Sequence, residues 1–240
     1  MNTLDNKTVA EVVAENIKTA HVFKKHGIDF CCGGGITIDK ACEKKDIDFS
    51  QLKDELLAVD EAPKAYNYNT WKLDFLIDHI INIHHSYVEE SIPLILQYSN
   101  RVAEVHGHHY SEVITINKLF TEVANELASH MKKEEIILFP YIKKLLATKN
   151  SDEQLSTPPF GTVNNPIAMM EAEHESAGDI FKEIARLTNN YTPPESACNT
   201  FRALYAKLDE FEQDLHQHIH LENNILHPKA KQLEQDILDN

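Results

Sequence analysis

The sequence predicts an all-α protein: a four-helix bundle preceded by a small helical domain. Three observations carry this. The 240 residues include only 7 Gly, three of them consecutive at 33–35, so glycine seldom interrupts a helix. Apolar residues recur at helical spacing over long stretches. And one stretch occurs twice. Residues 130–140 read HMKKEEIILFP and residues 218–228 read HIHLENNILHP, sharing His130/His218, Glu134/Glu222, Ile137/Ile225, Leu138/Leu226 and Pro140/Pro228 without a gap.

In chain order, Thr8 and Glu11 form a capping box. They open a helix whose stripe is Val9, Val12, Val13, Ile17, Ala20 and Phe23, with Gly27 past its end after His26. FCCGGG at 30–35 is too glycine-rich for a helix interior. Two short helices follow, Thr37 to Lys45 and Asp48 to Val59, the second capped by Asp48 with Gln51 at the third position. Residues 1–60 thus read as a small helical Cys-containing domain, 61–70 as a linker and 71–240 as the bundle.

The first bundle helix carries Leu73, Ile77, Ile81, His85, Val88, Ile92 and Leu96 on one stripe, and Pro93 is expected to kink it. A turn over 99–111 leads to a second helix from about 112 to 147, with Ile116, Val123, Leu127, His130, Glu134, Leu138 and Tyr141 facing in. A polar loop over 148–164 follows. Asn165 then caps a third helix with Pro166 at its first position, carrying Ile167, Met170, His174, Ala177, Phe181 and Ile184. The fourth begins near Ser196, runs to about 236, and turns Phe201, Leu204, Leu208, Phe211, Leu215, His218, Glu222 and Ile225 inward.

Composition narrows the partners. The net charge of −15 argues against nucleic acid and anionic membrane surfaces. No apolar run reaches the ~20 residues a bilayer span needs. The N-terminus lacks a basic-then-apolar signal pattern, so a cytoplasmic protein is expected. Four Cys, at 31, 32, 42 and 198, two of them adjacent, do not form a secreted disulfide framework. Cys42 and Cys198 read as small hydrophobes.

The repeated stretch carries the chemistry. On a helix, His and the Glu four residues later lie one turn apart, about 6 Å along the axis, on the same stripe as the apolar residues. A buried polar pair is costly unless something satisfies it, and a metal ion is the obvious partner. With 14 His and 38 Asp+Glu, His85–Glu89 and His108–Glu112 also fit the spacing, and one such pair alone reads as a surface contact. The duplication with matching flanks decides otherwise.

Lone inward His85 and His174 lie 89 residues apart, and His130 and His218 88. Two helical hairpins therefore each offer one His, then His-x3-Glu, and pair into a bundle with four His and two Glu at its centre. Each metal takes two His, both Glu bridge, and positions stay open for an oxo bridge or a small ligand. Iron, manganese and zinc all suit this donor set.

His84 is expected about 100° away from His85. His216 and His220 flank His218 out of register, as neighbours or solvated residues, and His106, His108 and His109 lie in a turn. Glu171, one turn before His174, is a candidate to hydrogen-bond a ligand His or to occupy a metal position itself, and Glu171 or Glu173 would offset the positive charge that remains on the centre. Adjacent Cys31 and Cys32 do not match zinc spacing; they either pack in a tight turn or act as reactive thiols beside Gly33–Gly35.

The bundle resembles the hemerythrin-like family. The whole chain is similar to the iron–sulfur cluster repair di-iron proteins, also called the repair of iron centres family. The resemblance rests on HGIDFCCGGG (26–35), SHMKKEEIILFP (129–140), NPIAMMEAEHESAG (165–178) and LHQHIHLENNILHP (215–228). It implies two iron ions in an oxo-bridged centre with ligands His85, His130, Glu134, His174, His218 and Glu222, and a functional role for Cys31 and Cys32. It also implies repair of clusters damaged by oxidative or nitrosative stress, through iron donation to damaged iron–sulfur proteins. The alternatives are a di-iron enzyme that binds and reduces nitric oxide or dioxygen, or a hemerythrin-type dioxygen carrier or sensor, against which the Cys pair argues. A homodimer is compatible with the sequence, and no catalytic residue is assigned. One departure is His227, where the earlier copy has Phe139.

Overall fold

The computed structural model describes residues 4–60, 66–150 and 155–239; residues 61–65 of the expected linker lie outside them. Among the described residues no strand forms beyond one antiparallel bridge between Thr8 and Thr37, so the class is all-α. The helices are α1 (Val9–Glu15), α2 (Ala20–Lys25), α3 (Ile38–Lys45), α4 (Phe49–Asp60), α5 (Leu73–His79), α6 (Ser86–His106), α7 (Glu112–Lys133), α8 (Phe139–Lys149), α9 (Asn164–Leu187), α10 (Asn199–Leu221) and α11 (His227–Leu238).

Local chemistry sets several of their ends. Thr8 and Glu11 form the expected capping box, the Asp48 carboxylate accepts from Gln51 N–H at 3.0 Å, and Gly27 takes φ 66°. The single helix expected across residues 8–26 is broken, however. Asn16 is extended, at φ −148° and ψ 97°, and its side chain accepts from Lys18 N–H. That local bond competes with the helix, and Ile17 and Ala20 end half-buried. Asn165 is not the cap of α9 either. Its amide donates to the Phe160 carbonyl at 2.7 Å, tying down the preceding loop. The fourth long helix begins at Asn199 rather than near Ser196.

The long helices are interrupted by π turns at Ile80–His85, Glu134–Leu138 and Glu222–Leu226. In the two repeated stretches the N–H of Phe139 bonds to the Glu134 carbonyl, and that of His227 to the Glu222 carbonyl. Pro140 and Pro228 stand next in the chain. In a regular helix each proline ring would press on the carbonyl four residues back; the wider π turn relieves that crowding.

The extra residue also shifts the register. Ile137, expected inside, is 45% exposed, while Leu138 and Phe139 are buried. In the first bundle helix both His84 and His85 are buried, Ile81 is half-buried, and the stripe continues on Val88, Ser91, Ile95 and Ser99 instead of Ile92 and Leu96. α6 stays helical through Pro93; the irregular turn precedes it.

The chain divides into two compact units. One comprises Asp78–Lys144 and Thr157–Leu215 and is a four-helix bundle of α6, α7, α9 and the first part of α10. Its α7 packs on both α6 and α9. At its core Phe120 meets Phe181 and Phe211 edge-on, with centroids 6.5 and 5.6 Å away, and Phe181 stacks on Phe211 at 5.6 Å.

The other unit comprises Met1–Ile77, Leu145–Ser156 and His216–Asn240. Val9, Val13, Phe23, Ile38 and Leu52 form its solvent-free core, and α1 packs against the Glu222–Leu226 turn. The N-terminal helices therefore share a unit with the last part of the chain. Within 66–70 one residue is packed: Tyr68 is buried, 4.6 Å edge-on from Trp71, and its hydroxyl accepts from the Gln217 amide at 3.3 Å.

Gly34 supplies a test of this packing. A Cβ there would sit 2.4 Å from the Phe30 carbonyl oxygen and 3.0 Å from Ala10 Cβ, whereas one on Gly35 would meet nothing within 4 Å. Gly34→Ala should cost roughly 1–3 kcal/mol, read as a lower urea midpoint, and Gly35→Ala should cost little. Equal midpoints for the two variants contradict the packing described.

Candidate metal centre

In the bundle unit the centre is built around Glu134, whose side chain is wholly buried. Its Oε2 lies 3.3 Å from His85 Nε2 and 3.4 Å from His130 Nε2, and neither carboxylate oxygen has a hydrogen-bond partner. A buried carboxylate left like this is strongly unfavourable unless a cation compensates it. His130 reaches it from the last turn of α7, and the π turn begins at Glu134 itself. From α9, His174 brings its Nε2 to 2.9 Å from His130 Nε2. The donor atoms of His130, Glu134 and His174 all lie within 4.8 Å of one another.

The outer ring nitrogens determine what the inner ones can do. His85 Nδ1 is 2.7 Å from Glu135 Oε1, and His130 Nδ1 is 2.8 Å from Glu173 Oε2. A carboxylate at Nδ1 keeps the proton there and leaves Nε2 as a lone pair. In both rings that lone pair faces Glu134. Lone pairs and a carboxylate converging without a proton between them are the donor set of a metal site, and the residues fit a divalent or trivalent cation.

Glu173 has a second donor. The Lys133 ammonium bonds to its Oε1. Burial pushes the Glu173 carboxyl up, but the bonds from Lys133 and His130 outweigh it and hold the group below the usual carboxylate range.

The second copy of the motif lies in the other unit. There His218 Nε2 is 3.0 Å from Glu222 Oε1, both side chains are buried, and a π turn again begins at the Glu. His227, the departure from the first copy, is fully buried. His220 is buried too rather than solvated. Its ring lies edge-on to Phe30 at 6.0 Å, and burial pushes it down to about 4, so it is neutral at ordinary pH. Half-buried His216 meets the same Phe30 at 5.8 Å.

Asn224 links this segment to the Cys turn. Its amide lies 3.1 Å from His220 Nδ1 and donates to the Cys31 carbonyl at 2.9 Å. Within the turn Asp29 Oδ1 accepts from the N–H of Cys31 at 3.0 Å, the N–H of Cys32 at 3.1 Å and the Cys31 thiol at 3.2 Å. The two thiols are unlike. Cys31 is buried and Cys32 exposed. The hydrogen bond with Cys32, burial and the Asp29 charge push the Cys31 thiol well above its ordinary value.

Several neighbours differ from expectation. His84 is buried, with Nδ1 2.9 Å from Asp214 Oδ1, because the π turn brings two successive residues inward. Glu171 is half-buried and Glu89 exposed. Cys198 is exposed, its Sγ 3.2 Å from His106 Nε2, and so is not a core hydrophobe; Cys42 is buried as expected. Glu135 was not legible, since in a regular helix it points about 100° from Glu134.

Comparison with known proteins gives the class first. Residues 76–230 match the family described as the hemerythrin HHE cation binding domain, and residues 5–60 match ScdA_N, described as a domain of unknown function. The chain is also similar to the iron-sulfur cluster repair protein YtfE of Citrobacter koseri and to that of Enterobacter sp. strain 638. Each is 35% identical over 225 residues, 94% of this chain and 96% of the relative. YtfE of Escherichia coli O81 matches equally, at 35% over the same 94%. The chain belongs to this iron–sulfur cluster repair family of hemerythrin-type proteins. None of the described helices is long and apolar enough to cross a membrane.

Glu134→Gln removes the buried charge and keeps the shape. The metal-free variant should be at least as stable as the parent by thermal unfolding, because an uncompensated carboxylate is gone, while its metal content falls. Glu89→Gln, on the exposed face, should alter neither. A metal-free Glu134→Gln protein that unfolds well below the parent contradicts this account.

Proposed function

We propose that this chain is a cytoplasmic repair factor that stores two iron ions and donates iron to iron–sulfur clusters damaged by oxidative or nitrosative stress. The observation that carries the proposal is the buried Glu134 carboxylate, facing two imidazole nitrogens without a hydrogen-bond partner. The name of the relatives, iron-sulfur cluster repair protein, supports the direction of the chemistry.

In this reading His85, His130, Glu134, His174, His218 and Glu222 would hold the two ions, His130 and His174 sharing one of them. Burial of all six side chains supports it, as do the repeated sequence and the π turn that opens at each Glu. Residues 71–240 then form the iron-binding bundle and residues 1–60 the thiol-bearing domain. Damaged iron–sulfur proteins are the partners.

Bound iron supplies the cargo and a redox change that alters how tightly the carboxylates hold it. The chain's residues do the rest. Glu135 and Glu173 hold the protons at Nδ1 of His85 and His130, so the inner nitrogens stay donors. Phe139, buried and 5.8 Å from the His85 ring, helps exclude water. Four neutral imidazoles and two carboxylates bring only two negative charges to two cations. Such a set is undercharged beside a thiolate cage, which suits a store that must give up its content. Exposed Cys32 is the thiol placed to meet an acceptor, and Cys31 anchors the turn.

The test loads the full chain with labelled iron and adds a cluster-depleted acceptor with cysteine, a cysteine desulfurase and a reductant. The label is expected in the rebuilt cluster, and Cys32→Ser is expected to slow its arrival. Clusters that rebuild while the label stays behind exclude iron donation and leave reduction of nitric oxide or dioxygen as the function.

A further inference from the structure

The two histidines beside Glu134 are held unequally. His85 leans on Glu135, whose one hydrogen-bond partner among the described residues is that ring, at 2.7 Å. His130 leans on Glu173 at 2.8 Å, but Glu173 also binds Lys133 through its other oxygen. A carboxylate that shares its charge with an ammonium withdraws less of the imidazole N–H bond, and the ring becomes a weaker donor at Nε2. His130 is therefore the softer arm. A surface groove between α7 and α9, lined by Asn125, Glu126, Ser129, Lys133, Met169 and Glu173, opens onto the Lys133–Glu173 pair.

We propose that Glu173 and Lys133 are positioning residues that make the two iron positions unequal, so that the iron held by His130 and His174 is the one released first. The inference rests on the two-iron reading above and deepens it by assigning the order of release. Glu135 holds the slower position through His85. Lys133 sets the difference, because it draws on Glu173 alone.

The experiment has two readouts, applied to the full chain. Iron content is measured first, and then the release of iron(II) to a coloured chelator is followed with time. Two irons per chain leaving in two phases of equal amplitude are expected. Glu173→Gln should speed the fast phase about tenfold or more, the scale of outer carboxylate effects on a metal-bound His, and leave the slow phase unchanged. Glu135→Gln should speed the slow phase only. Lys133→Met should slow the fast phase several-fold, and Lys133→Arg should restore it. A general loosening of the fold moves both phases together and so is told apart from positioning.

Fewer than two irons in the parent protein overturns the two-iron reading and this inference with it. Two irons leaving in one phase, a Glu173→Gln effect on both phases, or faster release from Lys133→Met overturns the inference alone.

Discussion

The structure depends on a carboxylate placed where carboxylates are costly. Glu134 is buried, two imidazole nitrogens approach one of its oxygens, and no hydrogen bond satisfies it. Hydrophobic burial alone would select an apolar residue at that position. Its presence makes sense if the free energy lost in the empty protein returns on metal binding, which also couples occupancy of the site to folding. The surrounding carboxylates, Glu135 and Glu173, extend the same logic outward by fixing which ring nitrogen carries the proton.

The π turns place that carboxylate. A regular helix can carry His and Glu one turn apart, but it cannot also accept Pro140 soon afterwards without crowding a carbonyl. Widening the turn resolves both demands, and both copies of the stretch use it. This is also why part of the site was legible and part was not. The duplication selected His130, Glu134, His218 and Glu222, and the matching offsets selected His85 and His174. Those arguments need only the residue types and their spacing. The inward turn of His84, the exposure of Ile137 and the reach of Glu135 all follow from one extra residue per π turn, which a 3.6-residue period hides. Asn16 and Asn165 escaped for a related reason. Their short amides bond locally, and that competition with the helix leaves little trace in a hydrophobic pattern.

The Cys pair occupied an ambiguous place in the sequence, between tight-turn packing and reactive thiols. The structure separates the two by burial: Cys31 is buried and Cys32 is exposed. The turn is fastened by Asn224 to the segment that carries His220. That segment lies in the same compact unit as the N-terminal helices, so the thiols and the His218–Glu222 part of the chain belong to one folded body. A change in the N-terminal helices can therefore reach His218 and Glu222 through the packing of that unit.

The central claim is that the buried His and Glu side chains exist to hold two metal ions. Anaerobic titration of the metal-free full chain with iron(II), followed by the midpoint of thermal unfolding, tests it most directly, because a ligand that binds only the native state raises that midpoint. The account predicts a midpoint that climbs steadily and levels off at two equivalents per chain. A midpoint that does not respond to iron, or that levels off at one equivalent, contradicts it.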